Sequence, residues 1–375
     1  MENIERKRDA NIDLLRIIAI IMVITVHGLG YSGLTKASSD IELYNKLLAR
    51  FLDSFVLCAN VIFILISGYY LIDKKMNIKR ILCLWGRTIL YSIMYFIIFT
   101  ILGGNPPIYE SFFPILSGQY WFISCYIVLY LISPIINIAF NKLTQSQIKY
   151  LLIVLLILIG IVQIIFDPAE ILSGNLFGMI LIYLIGGYIK RYKITEGNKL
   201  VIKSILIAII FSIIYIILQI WIILNPSKNE LYIFIAKIFA KFRNFNNILI
   251  IFIGICIFMK FKKTSIKSTK ISKLLAFITP SVFSIYILHE NINLRSNFWP
   301  QLGILNYSNS WLLIPYALLM VILVFAVCLL IDLLRRGLYF LLKKISFINN
   351  FVDKLNNKIT LINEKINTYI EGIEE

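Results

Sequence analysis

Arg16 and His27 stand eleven residues apart on the first long apolar run of the chain. Ionisable side chains inside a membrane segment are costly and mark functional sites by default. An eleven-residue step along a helix rises roughly 16 Å and returns to nearly the same face. The pair therefore predicts one stripe carrying a guanidinium at one depth and an imidazole at another, enough to separate a donor site from a reaction site. The plainer reading has Arg16 snorkelling to one interface while His27 ends the helix at the other. His289, the second of the chain's 2 histidines, closes the run PSVFSIYILHEN. Imidazole suits general acid or base work near neutral pH, so two histidines toward one side of a bundle predict a proton-transfer site. A polar helix end facing headgroups is the alternative for His289. Glu290 beside it could orient and polarise it, although adjacent helix residues point apart and a solvated end charge fits equally well.

A second set gathers toward the other side. Asp13 lies three residues before Arg16 and can pair with it, lowering the cost of holding the guanidinium inside the membrane. Arg80 and Arg87 are two helical turns apart at the start of the third apolar run and share a face. Arg16, Arg80 and Arg87 together predict a phosphate cradle, because guanidinium forks bind phosphate through paired charge-assisted hydrogen bonds. Simple anchoring by positive charge accounts for Arg80 well and for Arg87, deeper in the run, poorly. Tyr109, Tyr120, Trp121, Trp299 and Trp311 fall in or beside the loops of the histidine side, as interfacial belts do, with stacking on a sugar ring as a second use. Gly68, Gly186 and Gly187 sit in apolar runs where small residues let helices approach closely.

The elements that must hold these groups are helices in lipid. The chain of 375 residues is 59% hydrophobic and only 15% charged, whereas soluble domains are about 45–50% apolar. The net charge of +17 sits in short segments between apolar runs, so positive-inside topology explains it and no nucleic-acid partner is implied. The 5 cysteines lie apart in apolar runs and suggest neither a disulfide framework nor a metal cluster, and no metal is expected. Apolar stretches long enough to cross fall near 12–31, 51–72, 81–102, 119–140, 150–166, 176–190, 204–224, 246–259, 274–290 and 311–333. Basic residues follow every second stretch, from Lys74, Lys75, Lys79 and Arg80 to Arg335 and Arg336, which places both termini in the cytoplasm. The first run lacks a small-residue cleavage site and reads as a retained span. Lys237, Lys241 and Arg243 break the pattern, and residues 231–243 read as an interfacial or re-entrant helix. The expected fold is all-α: a polytopic membrane helix bundle of about ten transmembrane helices over residues 1–336, with a cytoplasmic amphipathic tail over 337–375. In that tail Ile345, Ile348, Val352, Leu355, Ile359, Ile362, Ile366, Tyr369 and Ile373 alternate spacings of three and four. Such a seam either lies on the inner leaflet, against membrane lipid, or pairs two copies into a homodimer through residues 345–373.

The segments IDLLRIIAIIMVITVH (12–27), NVIFILISGYYL (60–71), QYWFISCYIVLYLISPII (119–136), YLIGGYI (183–189) and SIYILHE (284–290) resemble the acyltransferase-3 family of membrane proteins. Arg16 and His27 in an R-x10-H arrangement are the most specific element, supported by the SGY, WF and Y-x-x-H runs. The resemblance implies a ten-span enzyme of the cell membrane, a bacterial plasma membrane, that moves an acyl group. The group is usually acetyl, from cytoplasmic acetyl-CoA or another acyl-CoA, and the acceptor a hydroxyl of a cell-surface polysaccharide or its lipid-linked precursor. On that expectation His27 is general base, or a transient acyl carrier, Arg16 with Arg80 and Arg87 holds the donor, and His289 assists at the developing oxyanion. Two features depart from the family pattern: Lys79, Arg80 and Arg87 stand where an R-x-x-R pair is common, and Glu290 and Asn291 follow the ninth-run histidine where apolar or proline residues are common. Some members also carry an appended hydrolase-like domain; here direct delivery to the acceptor, or a separate partner, is expected. The competing reading is a transporter, flippase or polymerase of lipid-linked glycan, disfavoured by the lack of a large external loop and of clear internal repeats. A membrane receptor or scaffold would use the tail but leave Arg16, Arg87 and His27 without a purpose.

Overall fold

Helices account for the regular structure of the residues described by a computed structural model, namely 8–35, 41–163, 174–194, 229–241 and 244–372, with scattered residues between 206 and 221. Helix α1 (Ala10–Tyr31) starts where the Asp9 carboxylate accepts the N–H groups of Asn11 and Ile12, satisfying donors that a helix start leaves open. Helices α2 (Leu43–Val56) and α3 (Ala59–Leu71) follow one another across a tight turn and form one apolar stretch of 29 residues. Then come α4 (Ile78–Ile101), the short loop helix α5 (Ile108–Phe112) and α6 (Trp121–Lys142). Thr144 and Gln147 form a reciprocal capping box at the start of α7 (Gln145–Ile157), which widens into a π turn over Leu158–Val162. Next are α8 (Asn175–Arg191), α9 (Glu230–Lys241) and α10 (Ile248–Lys263). Helices α11 (Thr269–Ile278) and α12 (Val282–His289) meet at a 3-10 turn, Thr279–Ser281, where Pro280 has no N–H to continue the ladder. The short α13 (Ile292–Gln301), the long α14 (Leu313–Leu342) and the terminal α15 (Ser346–Glu371) complete the order.

Among the described residues 7 helical stretches are long and apolar enough to cross a membrane: 10–31, 43–71, 78–101, 121–142, 145–162, 269–289 and 313–342. The apolar α8 and α10, of 17 and 16 residues, correspond to two more of the expected spans but are shorter than the roughly 20 residues of a full perpendicular crossing. The expected span at 204–224 lies largely outside the described residues. The second crossing stretch begins at Leu43, eight residues before its hydropathy suggests. The cause is a buried polar stripe: Lys46, Arg50 and Asp53 are all turned inward on α2, and they depress the local hydropathy without being in solvent. Of the helix expected over 231–243, residues 231–241 are helical within α9, and 242 and 243 lie outside the described residues.

Helix α1 lies near the centre of the bundle, against α2, α3, α10, α12 and α14, so Ile12, Leu15, Ala19 and Ile24 are fully buried. Beside it α3 and α8 touch backbone to backbone. A β-carbon on Gly68 would stand 2.0 Å from the Tyr183 carbonyl oxygen, and one on Gly186 would stand 2.5 Å from that of Leu65. In lipid, where apolar burial drives helix association weakly, this close van der Waals contact is what small residues supply. Among the described residues no two of the 5 cysteines form a disulfide. The heptad seam of α15 is divided: Val352, Ile359 and Ile366 are half-buried toward the chain's own body, whereas Leu355, Ile362 and Tyr369 are exposed.

Candidate active site

The last two turns of α1 carry His27 and, one turn further on the same face, Tyr31. Both meet the end of α12. His27 Nδ1 lies 2.9 Å from His289 Nε2 and 3.0 Å from Glu290 Oε2. The first contact is an aligned hydrogen bond; the second is a charge contact without hydrogen-bond geometry. His289 Nδ1 lies 2.6 Å from the Ile285 carbonyl oxygen one turn back. A carbonyl only accepts, so in the neutral rings the partners assign the protons. His289 donates from Nδ1 to Ile285, its Nε2 accepts from His27 Nδ1, and His27 Nε2 is left with its lone pair. That is the form a general base requires.

Glu290 completes the cluster because α12 stops at His289: Glu290 adopts φ −100 and ψ 7, so its side chain leaves the helical direction and turns back toward His27. The expectation that neighbours on a helix point apart does not hold at a helix end. Oε1 accepts from Tyr31 Oη and from Arg295 Nη1, each at 2.8 Å. The carboxyl, just past the membrane-spanning stretch, is held at about 2: burial works to raise it, and the His27 imidazole beside it, once protonated, outweighs that. His289 and Glu290 are 1% and 3% exposed, whereas the His27 side chain keeps 18%, so of the three it is the one a substrate can reach. Tyr95 Oη donates to the Leu288 carbonyl at 2.9 Å and the Trp299 ring packs over Gly28, fixing both helix ends. The ligand-capable atoms of His27, His289 and Glu290 all fall within 4.8 Å of one another. Nitrogen ligands around a zinc ion stand about 3.3 Å apart, so the set as it stands is closed by direct hydrogen-bond contact.

At the opposite end of α1 Arg16 Nη1 donates to Asp13 Oδ1 at 3.0 Å, Arg8 pairs with the other Asp13 oxygen, and the Arg16 guanidinium lies 5.9 Å from the Tyr70 ring centre. Arg16, Arg80 and Arg87 line one cavity of about 520 Å³, with Lys74, Ser67 and Tyr70. A second cavity, about 420 Å³, shares Arg80 and Arg87 and adds Lys79. Arg87 is held by donating from Nη1 to the Pro280 carbonyl at 3.2 Å, an acceptor exposed by the break between α11 and α12. The three arginines named from sequence thus converge, and the two histidines converge separately. Neither histidine lines the larger cavity. A chain of rings stands between: Phe283 and Tyr126 on the cavity wall (5.6 Å), then Phe122 (6.3 Å), Tyr286 (6.1 Å) and His27 (6.4 Å).

Several functional candidates escaped the sequence reading. Tyr31 was within reach of it, being four residues beyond His27; Arg295 had no signal, since it sits in a polar loop helix of irregular pattern. Asp332, fully buried on α14, accepts from Tyr91 Oη at 2.6 Å and from Arg335 Nε at 2.9 Å and ties α14 to α4 near Arg87. Tyr286 Oη is buried without a hydrogen-bond partner among the described residues. A family model described as an acyltransferase domain matches residues 9–333. No curated protein and no solved structure matches this chain.

Proposed function

The chain belongs to the acyltransferase-3 family, and from that premise we propose that this multi-pass membrane acyltransferase moves an acetyl group from cytoplasmic acetyl-CoA to a hydroxyl of a cell-surface polysaccharide or its lipid-linked precursor. The observation that carries the proposal is the division of one helix: a base-competent histidine at one end of α1, an arginine-lined cavity at the other. Positive-inside charge assigns the arginine end to the cytoplasm, where coenzyme A is found. Its phosphates pair with Arg16, Arg80 and Arg87. Its long thin arm then runs along the aromatic wall toward His27, the rings turning to admit it.

His27 Nε2 takes the proton of the acceptor hydroxyl as that oxygen attacks the thioester carbonyl. The carbon–sulfur bond then breaks, the acetyl group stays on the acceptor as an ester, and the departing sulfur takes the proton to become the thiol of coenzyme A. His289 and Glu290 hold His27 through Nδ1 and stabilise the imidazolium that forms in between. Both nitrogens of His289 are engaged, so its part is to orient His27, and the buried Tyr286 hydroxyl, without a partner among the described residues, is the donor left for the oxyanion. A second copy, or lipid, covers the exposed row of the α15 seam.

Membranes carrying this chain, given acetyl-labelled acetyl-CoA and surface glycan, test the reading. Label entering glycan above the level of membranes without the chain is the expected result. Absence of transfer with every candidate glycan, alongside passage of lipid-linked glycan across the bilayer, would instead favour transport.

A further inference from the structure

Helix α4 carries Lys79, Arg80 and Arg87, yet its N-cap residue Asn77 makes no side-chain capping bond. A helix start leaves four N–H groups open. Here the first of them is taken from far along the chain: Ile78 N–H donates to Asn363 Oδ1 of α15 at 2.9 Å. One turn on, Asn367 grips Met76 through both of its amide atoms, accepting from the backbone N–H at 3.1 Å and donating to the carbonyl at 3.1 Å. A further turn on, Glu371 pairs with Lys75. Residues 363, 367 and 371 are spaced by four and lie on one helix face. On the other side of the same segment Tyr130 Oη receives the Asn77 N–H at 3.2 Å. The segment leading into α4 is therefore held between α6 and α15, and the cavity residues Lys74 and Arg80 flank it directly.

We propose that α15 is a positioning clamp for the donor site, with Asn363 and Asn367 as positioning residues that fix the first turn of α4 and so the guanidinium of Arg80 against the phosphates of the donor. This rests on the acyl-CoA reading given above. The clamp lies beyond the matched residues 9–333. Without it the first turn of α4 frays, and Arg80 must be ordered at the moment of binding. Among the described residues the clamp's bonds reach Lys75, Met76 and Ile78 and none of the histidine cluster, so it acts on donor binding and leaves the chemical step alone.

The test is binding of coenzyme A to the full-length protein, with donor KM and kcat for transfer measured alongside, in the unaltered chain, Asn363→Ala/Asn367→Ala, and the single variants Asn363→Ala and Asn363→Asp. Loss of bonds each worth a modest net free energy predicts about tenfold weaker coenzyme A binding and a matching rise in donor KM for the double variant, with kcat unchanged. The aspartate keeps the acceptor oxygen, and its charge suits a helix N-terminus, so Asn363→Asp binds more tightly than Asn363→Ala. If α15 acted only through the local field, the added negative charge would make the aspartate the worse of the two, and that order would overturn the proposal. Equal affinity in all variants would overturn it too. Should the double variant fail to fold, the alanine–aspartate pair decides alone. Coenzyme A failing to bind even the unaltered chain would sink the acyltransfer reading itself, and this inference with it.

Discussion

At the histidine end His27, His289, Glu290, Tyr31 and Arg295 are joined by contacts of 2.8 to 3.0 Å, with base and acid balanced and two of the five fully buried. At the other end of the same helix the larger cavity is lined by Arg16, Lys74, Arg80 and Arg87 and, among the described residues, by no carboxylate. A closed, charge-balanced cluster suits a step in which a proton moves and no group has to reorganise. An open cavity of unbalanced positive charge suits a ligand that brings the missing negative charge with it. On the proposed reading the two ends serve different parts of one reaction, and variants at each should fail differently.

The largest expected effect is at the base. Removing the proton acceptor in Glu290's company, as His27→Ala, should lower acetyl transfer by roughly 10²–10⁴-fold, the usual contribution of a positioned general base. Glu290→Gln keeps the shape but removes the charge that orients and stabilises His27. Loss of that alignment should lower kcat by about 10²-fold with donor KM nearly unchanged, read by initial rates. At the basic end the signature reverses. Arg87→Ala should weaken coenzyme A binding by roughly tenfold to a hundredfold, as loss of a charge-assisted hydrogen bond does, with kcat much less affected. An Arg87→Ala variant that loses kcat instead would erase the distinction between the ends.

Glu290 also gives the histidine end a pH signature. Its folded-state carboxyl is depressed, from 4.5 to about 2, so its contribution to stability is complete above pH 4.5 and is lost as pH falls toward 2. The thermal stability of the unaltered chain should therefore exceed that of Glu290→Gln by a constant margin near neutral pH, and the margin should shrink below about pH 4.5. A margin that grows on acidification would contradict the ion-pair role. The smallest expected effect on chemistry, with a clear one on folding, belongs to Gly68→Val. Its β-carbon cannot fit against Tyr183, and the variant should lose about 1–3 kcal/mol of stability by overpacking.

Much of this was legible before any coordinates. Periodic return along α1 placed Arg16 and His27 on one helix, and the depth of Arg87 in its run singled it out from ordinary anchoring. Gly68 and Gly186 announced a close helix contact. What the sequence concealed has definite physical causes. The charged residues of α2 are buried, so a hydropathy reading clipped that helix by eight residues. The convergence of Glu290 with His27 depends on where α12 ends, and helix ends are the least legible feature of a sequence. Asn363 and Asn367 fall between the apolar positions of the α15 seam, and only the docking of that helix gives them partners.

The most direct test of the division of labour is to measure coenzyme A binding and acetyl transfer side by side in His27→Ala. The account predicts binding within about twofold of the unaltered chain, since the lost group touches no part of the phosphate cavity, together with transfer reduced to background. Binding and transfer lost together would place His27 in the donor site, and transfer that survives would take the chemistry away from the histidine end altogether.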